Sequence, residues 1–475
     1  SHWSKISHFP YSDIKICFEL SRWDWILDLS LAWKITSNQK YIRKINYLMK
    51  SWCLANPLNQ GSNWLCGQEV SIRLIHFLQA LNFLEGINKN GRVLSSQNEE
   101  FIIKHLERIS LTKFYAEAQN NNHWTSEAAA LFIGGNLIKY KGNKYTKKAE
   151  KYANIGRKNL EKSIKLLVMN DGSFSQNSIN YHRLFLDTIS QVELWRIRLN
   201  LKEFSHQFNN KCTRATCWLE NFIDKKSGDA PNLGANDGAY CYQLHKRGFR
   251  DFRFSLQLAS SLFCKFSALP QGKWDEQLYW ENINPKYDIK KISALKNIKI
   301  FKDGGYIIKT YPNALALLRI AKYKFRPTNI DPLHFDLWYG GLNILRDGGS
   351  YSYNTSSELF DYFFGIRSHN SVEFDNNEPM PKISKFLCSN WLKSKNHKIE
   401  INGHLSSIQS KYNTLNGSHF RKVTSKNNGL NWEIIDYLDN FSKIATLRWR
   451  LIKNNWTLKG NNIICENYNI FIECN

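Results

Sequence analysis

The period of the apolar residues changes once along this chain, and that change limits what the chain can fold into. Up to about residue 285, apolar side chains recur at spacings of three and four. Trp25, Ile26, Leu29 and Trp33 make one stripe, and Val70, Leu74, Phe77, Leu78, Leu81 and Leu84 make another. Ile102, Leu106 and Ile109 continue the pattern, as do Leu160, Ile164 and Leu167 and then Phe185, Ile189, Val192 and Leu199. Such spacings mark amphipathic helices that each bury one side. Polar loops separate them, such as Asn56-Pro57-Leu58-Asn59-Gln60-Gly61 and Asn88-Lys89-Asn90-Gly91. No fixed-length repeat recurs, which excludes a regular solenoid. Successive helical hairpins curling into a toroid fit.

Between residues 270 and 300, Pro270, Gly272 and Pro285 punctuate a polar connection. Short β-branched and aromatic segments follow, including Tyr306-Ile307-Ile308, Ala314 to Ile320, Leu333 to Tyr339, Ser371 to Phe374, Leu447 to Leu451 and Ile470 to Ile472. Alternation with closely spaced turn signals predicts an antiparallel β-sandwich. In the 333–339 run, Phe335, Leu337 and Tyr339 share one face, while His334, Asp336 and Trp338 share the other. If the apolar face is core, the polar face looks into a cleft. The expected fold class is therefore a multidomain α + β chain, with an α/α toroid over residues 1–285 and an antiparallel β-sandwich over 286–475. The chain opens at Ser1, without Met and in mid-pattern, so the toroid is expected to be incomplete at its start.

A chain of 475 residues with 42% hydrophobic content and 16 Trp has ample material for folded cores. Its formal charge of +24 sets up a field that attracts polyanions: nucleic acid, anionic membrane or acidic polysaccharide. A solvated lysine surface is the plain alternative. The basic residues are spread out, with no Arg-rich arm, zinc finger or RNA-binding signature, which ranks nucleic acid below sugar. The ten Cys include no Cys-x-x-Cys pair and read as free, mostly buried thiols. No apolar run reaches the roughly 18 residues of a membrane span.

Two polar clusters stand out, Asn121-Asn122-His123-Trp124 and Asn180-Tyr181-His182-Arg183. Each opens a helical segment, and a helix N-terminus carries partial positive charge suited to an anionic ligand. Each residue also has an ordinary use. Asn122 can cap a helix, His123 can be a satisfied structural imidazole, and Tyr181 can be a half-buried phenol.

Six motifs in a fixed order carry a resemblance. They are Asp13-Ile14-Lys15 with Glu19-Leu20-Ser21-Arg22; Asn122-His123-Trp124 with Glu127-Ala128; Asp171-Gly172-Ser173 with Asn180-Tyr181-His182-Arg183; Asp303-Gly304-Gly305-Tyr306; Asp347 to Asn354; and Ser368-His369-Asn370-Ser371-Val372. On these the chain resembles the heparinase II/III-like polysaccharide lyases. The resemblance implies a toroid and a β-sheet domain whose shared cleft cleaves uronate-containing glycans by β-elimination. That reaction removes the C5 proton beside a carboxylate and expels the oxygen at C4. The carboxylate must be neutralised, one group must take the proton, and one must protonate the leaving oxygen. The resemblance implies Asn122 and His123 as the neutralising pair and Tyr181 as the acid, or as acid and base. Arg183 and the basic field are expected to lower the Tyr181 phenol. Glu127 is expected to orient His123 or its neighbours. Trp124, Arg183 and Trp338 join Glu127 as substrate-binding candidates, and Trp64 and Trp195 are further aromatic rings for stacking on sugar. The family implies residence in the bacterial periplasm or cell envelope.

The family also carries a His-x-His pair, the first His a base and the second a ligand, with an Asp and a later His, of a metal that is usually zinc. Asp347 and His369 occupy the last two ligand positions. Alignment on Tyr339-Gly340-Gly341 puts Pro327 and Asn329 where the pair would fall, and the nearest imidazole is His334. Asp331, His334 or Asp336 completes a zinc site, or Asp347 and His369 form a metal-free hydrogen-bonded pair. His334 is also the candidate base. Three functions remain: a lyase, a glycan-binding or polysaccharide-assembly protein on the same fold, and a hydrolase drawing its carboxylates from Asp171, Glu127 and Asp237.

Overall fold

The computed structural model describes residues 1–6, 14–85, 94–245, 248–287, 298–320, 322–402 and 405–474. Asp13 and the loop at 88–91 lie outside the described residues. After the short α1 (Ile14–Leu20), the helices come as hairpins: α2 (Asp24–Thr36) with α3 (Gln39–Ala55), and α4 (Gly67–Glu85) with α5 (Ser96–Leu111). The single turn-and-a-half of α6 (Lys113–Ala118) leads to α7 (Asn122–Lys141) with α8 (Thr146–Leu167), and then to α9 (Ile179–Arg198) with α10 (His206–Phe222). Short helices α11 (Arg253–Ala259) and α12 (Glu276–Trp280) are the last described helices before the sheets.

Helices α2, α4, α7, α9 and α11 pack on one another in chain order and form the inner layer, each of the first four backed by its hairpin partner. Burial follows this layering. Every residue from Gly67 to Leu81 of α4 and from Ile179 to Trp195 of α9 is buried, whereas outer α3 buries Ile45 alone. A helix buried on all sides lies inside a layered fold, and an amphipathic one lies outside. The closest pair is α7 on α8. It depends on small residues: a Cβ added at Gly156 would sit 2.3 Å from the Phe132 backbone nitrogen. This is the expected α/α toroid.

The β region is antiparallel, as alternation predicts. Strands β1 (Ile298–Phe301), β2 (Tyr306–Thr310), β3 (Ala314–Arg319), β4 (Phe335–Tyr339) and β5 (Leu342–Leu345) form one meander. Short β6 (Val372–Phe374), β7 (Lys382–Ser384) and β8 (Leu387–Cys388) precede a second meander of β9 (Lys395–Asn402), β10 (Leu405–Asn413), β11 (Ser418–Lys426) and β12 (Asn431–Asp439). The two sheets share a core in which Ile307, Leu318 and Phe335 meet Ile408, Tyr412 and Val423. Two buried cations cross between the sheets. Lys309 on β2 donates to the Ser406 carbonyl at 2.9 Å, and Arg421 on β11 donates to the Leu333 carbonyl at 2.7 Å. Arg421 is also paired with Asp436 at 2.6 Å, which offsets the cost of burying its charge.

The other face of the first sheet packs on the toroid. Tyr306, Ile308 and Leu317 belong to the helical core, where Tyr306 meets Phe222 edge-on at 5.4 Å. Two of the sequence motifs form the hinge point of this junction. The Asp171 carboxylate accepts the backbone N–H groups of Asp303 at 2.6 Å and Gly304 at 2.9 Å. Asp171 is thus a strut between domains, which removes it from the hydrolase carboxylates. The last described helix before the sheets ends at Trp280 and the first described strand starts at Ile298. On β4, Phe335 and Leu337 face the sandwich core, while the Trp338 indole donates to Asp336 at 2.7 Å on the opposite side. That second face is buried as well, so it does not open directly into a cleft. All ten cysteines are free thiols. No described helix is long and apolar enough to cross a membrane.

Candidate active site

The start of α7 is built by its own cap. The Asn121 side chain accepts the His123 N–H at 3.0 Å, the ordinary work of Asn before an apolar run. That leaves Asn122 free for a second task. Its backbone N–H donates to the Gln176 side chain at 3.0 Å and its amide donates to the Gln68 side chain at 2.5 Å. The carboxamide is thereby tied to the N-terminal turn of α4, and the backbone to the loop that leads into α9. His123 follows, half-buried, with Nδ1 3.9 Å from the Cys66 thiol.

Tyr181 enters from α9, whose cap is Ser178. Its hydroxyl lies 3.1 Å from that of Tyr353, which comes from the loop after β5. This contact joins toroid to sandwich, and it places a motif from each domain at one point. Asp237 acts electrostatically on both His123 and Tyr181, so the two clusters share one neighbourhood. Lys15 approaches Asp237 at 3.9 Å.

Burial dominates the proton chemistry here. It raises the Tyr181 phenol well above its ordinary value, and Asp237 and Tyr353 push it further the same way. The expected lowering by Arg183 does not occur. Arg183 is completely buried, its guanidinium over the Tyr240, Phe249 and Phe252 rings at 4.0, 4.3 and 4.5 Å, with one nitrogen on the Asn180 side chain at 2.8 Å. It holds the α9 end together and presents nothing to a substrate. Burial also lowers the His123 imidazole, against an opposing pull from Glu127. Glu127 itself is pushed up to about 8 by burial, with His123 pulling it down. Both groups are therefore neutral near pH 7. The Glu127 carboxyl lies against the first turn of α4, where a Cβ on Gly67 would be 2.5 Å from its Oε1.

The aromatic candidates are placed elsewhere. Trp124 is buried with its indole N–H on the Asn159 side chain at 3.0 Å, so it ties α7 to α8. Trp64, Trp195 and Trp338 are likewise buried in cores and offer no face to a sugar ring.

In the sandwich domain three donors converge: His334, Asp347 and His369, with ligand atoms within 4.8 Å of one another. The Asp347 Oδ2 is 3.0 Å from His369 Nδ1 and 3.9 Å from His334 Nε2. All three are buried, and Nε2 of each imidazole has no hydrogen-bond partner. Two imidazoles and a carboxylate are a donor set that suits zinc. His334 Nδ1 accepts the Asn370 backbone N–H at 2.9 Å, which puts the proton of the neutral ring on Nε2. Metal binding through Nε2 would move that proton to Nδ1 and require the Asn370 contact to relax.

Heparinase II/III N-terminus, as a family, matches residues 2–232, and Heparinase II/III-like, C-terminal, matches residues 294–466. The chain belongs to the heparinase II/III family. It is similar to a heparin-sulfate lyase of Bacteroides thetaiotaomicron, 26% identical over 399 residues that cover 78% of this chain and 53% of that protein. A heparin-sulfate lyase of Bacteroides stercoris is 21% identical over 401 residues, 78% of this chain and 55% of that protein. The chain spans about half the length of these curated relatives. Among solved structures, a heparinase III crystal structure matches with TM-score 0.71 at 17% identity, over 95% of this chain and 69% of that one. A heparan sulfate lyase from Pedobacter heparinus matches with TM-score 0.58 at 18% identity, over 97% and 68%. The shared fold is a helical toroid followed by a β-sheet region.

His334, rather than Asp331 or Asp336, is the residue that groups with Asp347 and His369, and Pro332 stands two positions before it. His334 is fully buried in that cluster. Sequence reasoning also missed Gln68 and Gln176, which hold Asn122, and the partnership of Tyr353 with Tyr181. Tyr353 was visible inside the Asp347 to Asn354 motif, but its partner lies 172 positions away.

Proposed function

We propose that this chain is a polysaccharide lyase that cleaves a uronate-containing acidic glycan by β-elimination. The observation that carries the reading is the hydroxyl pair of Tyr181 and Tyr353 at 3.1 Å, formed across the two domains. Asn122 and His123 receive the uronate carboxylate, His123 as a neutral N–H donor that gains a proton from Glu127 when the anion arrives. Tyr181 does the proton work. Burial and Asp237 keep the Tyr181 phenol protonated. In one concerted step the Tyr181 oxygen takes the C5 proton while its own hydroxyl proton passes to the leaving oxygen, the electron pair forms the C4–C5 double bond, and the C4–O bond breaks, so the phenol is intact at the end. A zinc ion held by His334, Asp347 and His369 would supply a structural crosslink between two segments of the sandwich. The bacterial periplasm or envelope is the proposed location.

A second reading is a glycan-binding or polysaccharide-assembly protein, favoured by Pro332, rather than an imidazole, two positions before His334. Incubation with a panel of uronate polysaccharides, followed by mass analysis, separates them. A lyase yields chains with a terminal unsaturated uronate, each lighter by one water than its hydrolytic counterpart. Binding without cleavage supports the second reading, and products of hydrolytic mass overturn both.

A further inference from the structure

Two cysteines that the proposed mechanism does not use meet at the foot of the stretch that carries Asp237. Helix α10 ends at Phe222 and α11 begins at Arg253, and the described residues between them form no helix or strand. This stretch supplies Asp237, Ala235 and Cys241 to the surroundings of Tyr181. Its ends are drawn together where the Phe252 N–H donates to the Gly228 carbonyl at 2.8 Å. Past Phe252, α11 runs on into a π turn, Ser260–Cys264, ended by Lys265 at φ 66°. Such turns are rare and are frequent at functional sites. The Thr213 hydroxyl of α10 donates to the Phe263 carbonyl of this turn at 2.9 Å. Cys217 lies one helical turn beyond Thr213 on the same face of α10, and Cys264 follows Phe263. The two side chains meet there, with the Cys264 thiol donating a hydrogen bond to Cys217.

Cys217 is exposed and Cys264 is part-buried, so a small reagent can reach the pair. The hydrogen bond from Cys264 holds the Cys217 thiol below its ordinary value, with Lys299 on β1 helping and burial and Glu220 opposing. A thiolate is the attacking species in disulfide exchange. We propose that Cys217 and Cys264 are a disulfide site, closed by exchange with a small disulfide oxidant, and that the closed form braces the stretch bearing Asp237. The Cys217 thiolate attacks one sulfur of the oxidant and forms a mixed disulfide, and one thiolate leaves. Cys264 gives up its proton and attacks Cys217 Sγ, and the second thiolate leaves. One S–S bond forms in the protein and one breaks in the oxidant. Two electrons pass to the oxidant, and the two cysteine protons finish on its two thiols. The crosslink closes residues 218–263 into a covalent loop, which takes conformational freedom from the unfolded chain. The site needs no glycan, so it stands apart from the lyase reading.

The test uses the full chain, incubated with oxidised glutathione or with a dithiol reductant, then alkylated and mapped by mass spectrometry without reduction. The oxidised sample is expected to contain the Cys217 and Cys264 peptides joined, lighter by two hydrogens than the pair of reduced peptides, and the reduced sample is expected to lack them. The melting temperature should rise by about 5 °C on oxidation. Proteolytic cutting between Phe222 and Arg253 should slow about fivefold in the oxidised chain. Cys217→Ser and Cys264→Ser should each melt like the reduced native chain and lose both responses to the oxidant. The peptide map of the native chain decides the matter if a variant fails to fold. Glutathione that stays on Cys217, pairing of Cys217 with a different cysteine, or a crosslinked chain with unchanged melting and cutting overturns the proposal.

Discussion

Replacing Glu127 by Gln should make the protein more stable, and increasingly so as the pH rises. Glu127 is buried, and its value is raised from 4.5 to about 8, with burial the main cause. In the unfolded chain the same group ionises near its ordinary value. Between those two values the folded protein keeps a proton that the unfolded chain has lost. The unfolded state then binds fewer protons, so stability falls as pH rises through this window. Below it both states are protonated, and above it both are ionised and the whole penalty is present. At about 1.4 kcal/mol per pH unit, the ceiling on that penalty is on the order of 5 kcal/mol. Relaxation of the site brings the realised figure to about 2–3 kcal/mol. Gln fills the same space without titrating. Urea unfolding of both proteins at several pH values from about 5 to 8 reads the difference directly. The expected result is near-equal stability at the acid end and a variant advantage of about 2 kcal/mol at the alkaline end. A difference that stays constant with pH would refute the assignment of a raised, buried carboxyl at Glu127.

Three further outcomes follow from the same geometry. Tyr353→Phe removes the hydroxyl partner of Tyr181 and should lower kcat about tenfold with little change in KM, read by steady-state kinetics on any cleaved glycan. Arg183→Ala empties a buried cation from a three-ring stack and should cost about 3 kcal/mol of stability by denaturant melts while KM of the folded protein is unchanged. A selective rise in KM would instead return Arg183 to the substrate. Purified chain loaded with zinc and dialysed should retain about one ion by elemental mass spectrometry, and His369→Ala should retain almost none. Equal, negligible zinc in both proteins would leave a metal-free hydrogen-bonded cluster.

The period change was enough to read the architecture, because helix and strand burial impose different spacings on the same apolar residues. The identity of the residues that receive a ligand was less legible. Trp124 and Arg183 share short motifs with Asn122 and Tyr181, yet their side chains leave the helix ends in other directions and finish in cores. Sequence neighbours on a helix point to different faces, so a motif does not say which members look into a cleft. Asp171 illustrates the converse. Two motifs that looked independent, at 171–173 and 303–306, are one hydrogen-bonded junction. The sequence left Asp331, His334 and Asp336 as equal candidates to join Asp347 and His369, and only the folded chain shows that His334 is the one that converges with them. The Tyr181–Tyr353 contact depends on the docking of two domains, which local pattern does not encode.

The most direct test of the central claim is the ultraviolet absorbance of the unsaturated uronate, followed on uronate polysaccharides with the native chain and with Tyr181→Phe. Elimination with the native chain, falling by a factor on the order of a hundred or more in the variant while glycan binding is retained, is the result this account predicts. Elimination that survives in Tyr181→Phe would contradict it.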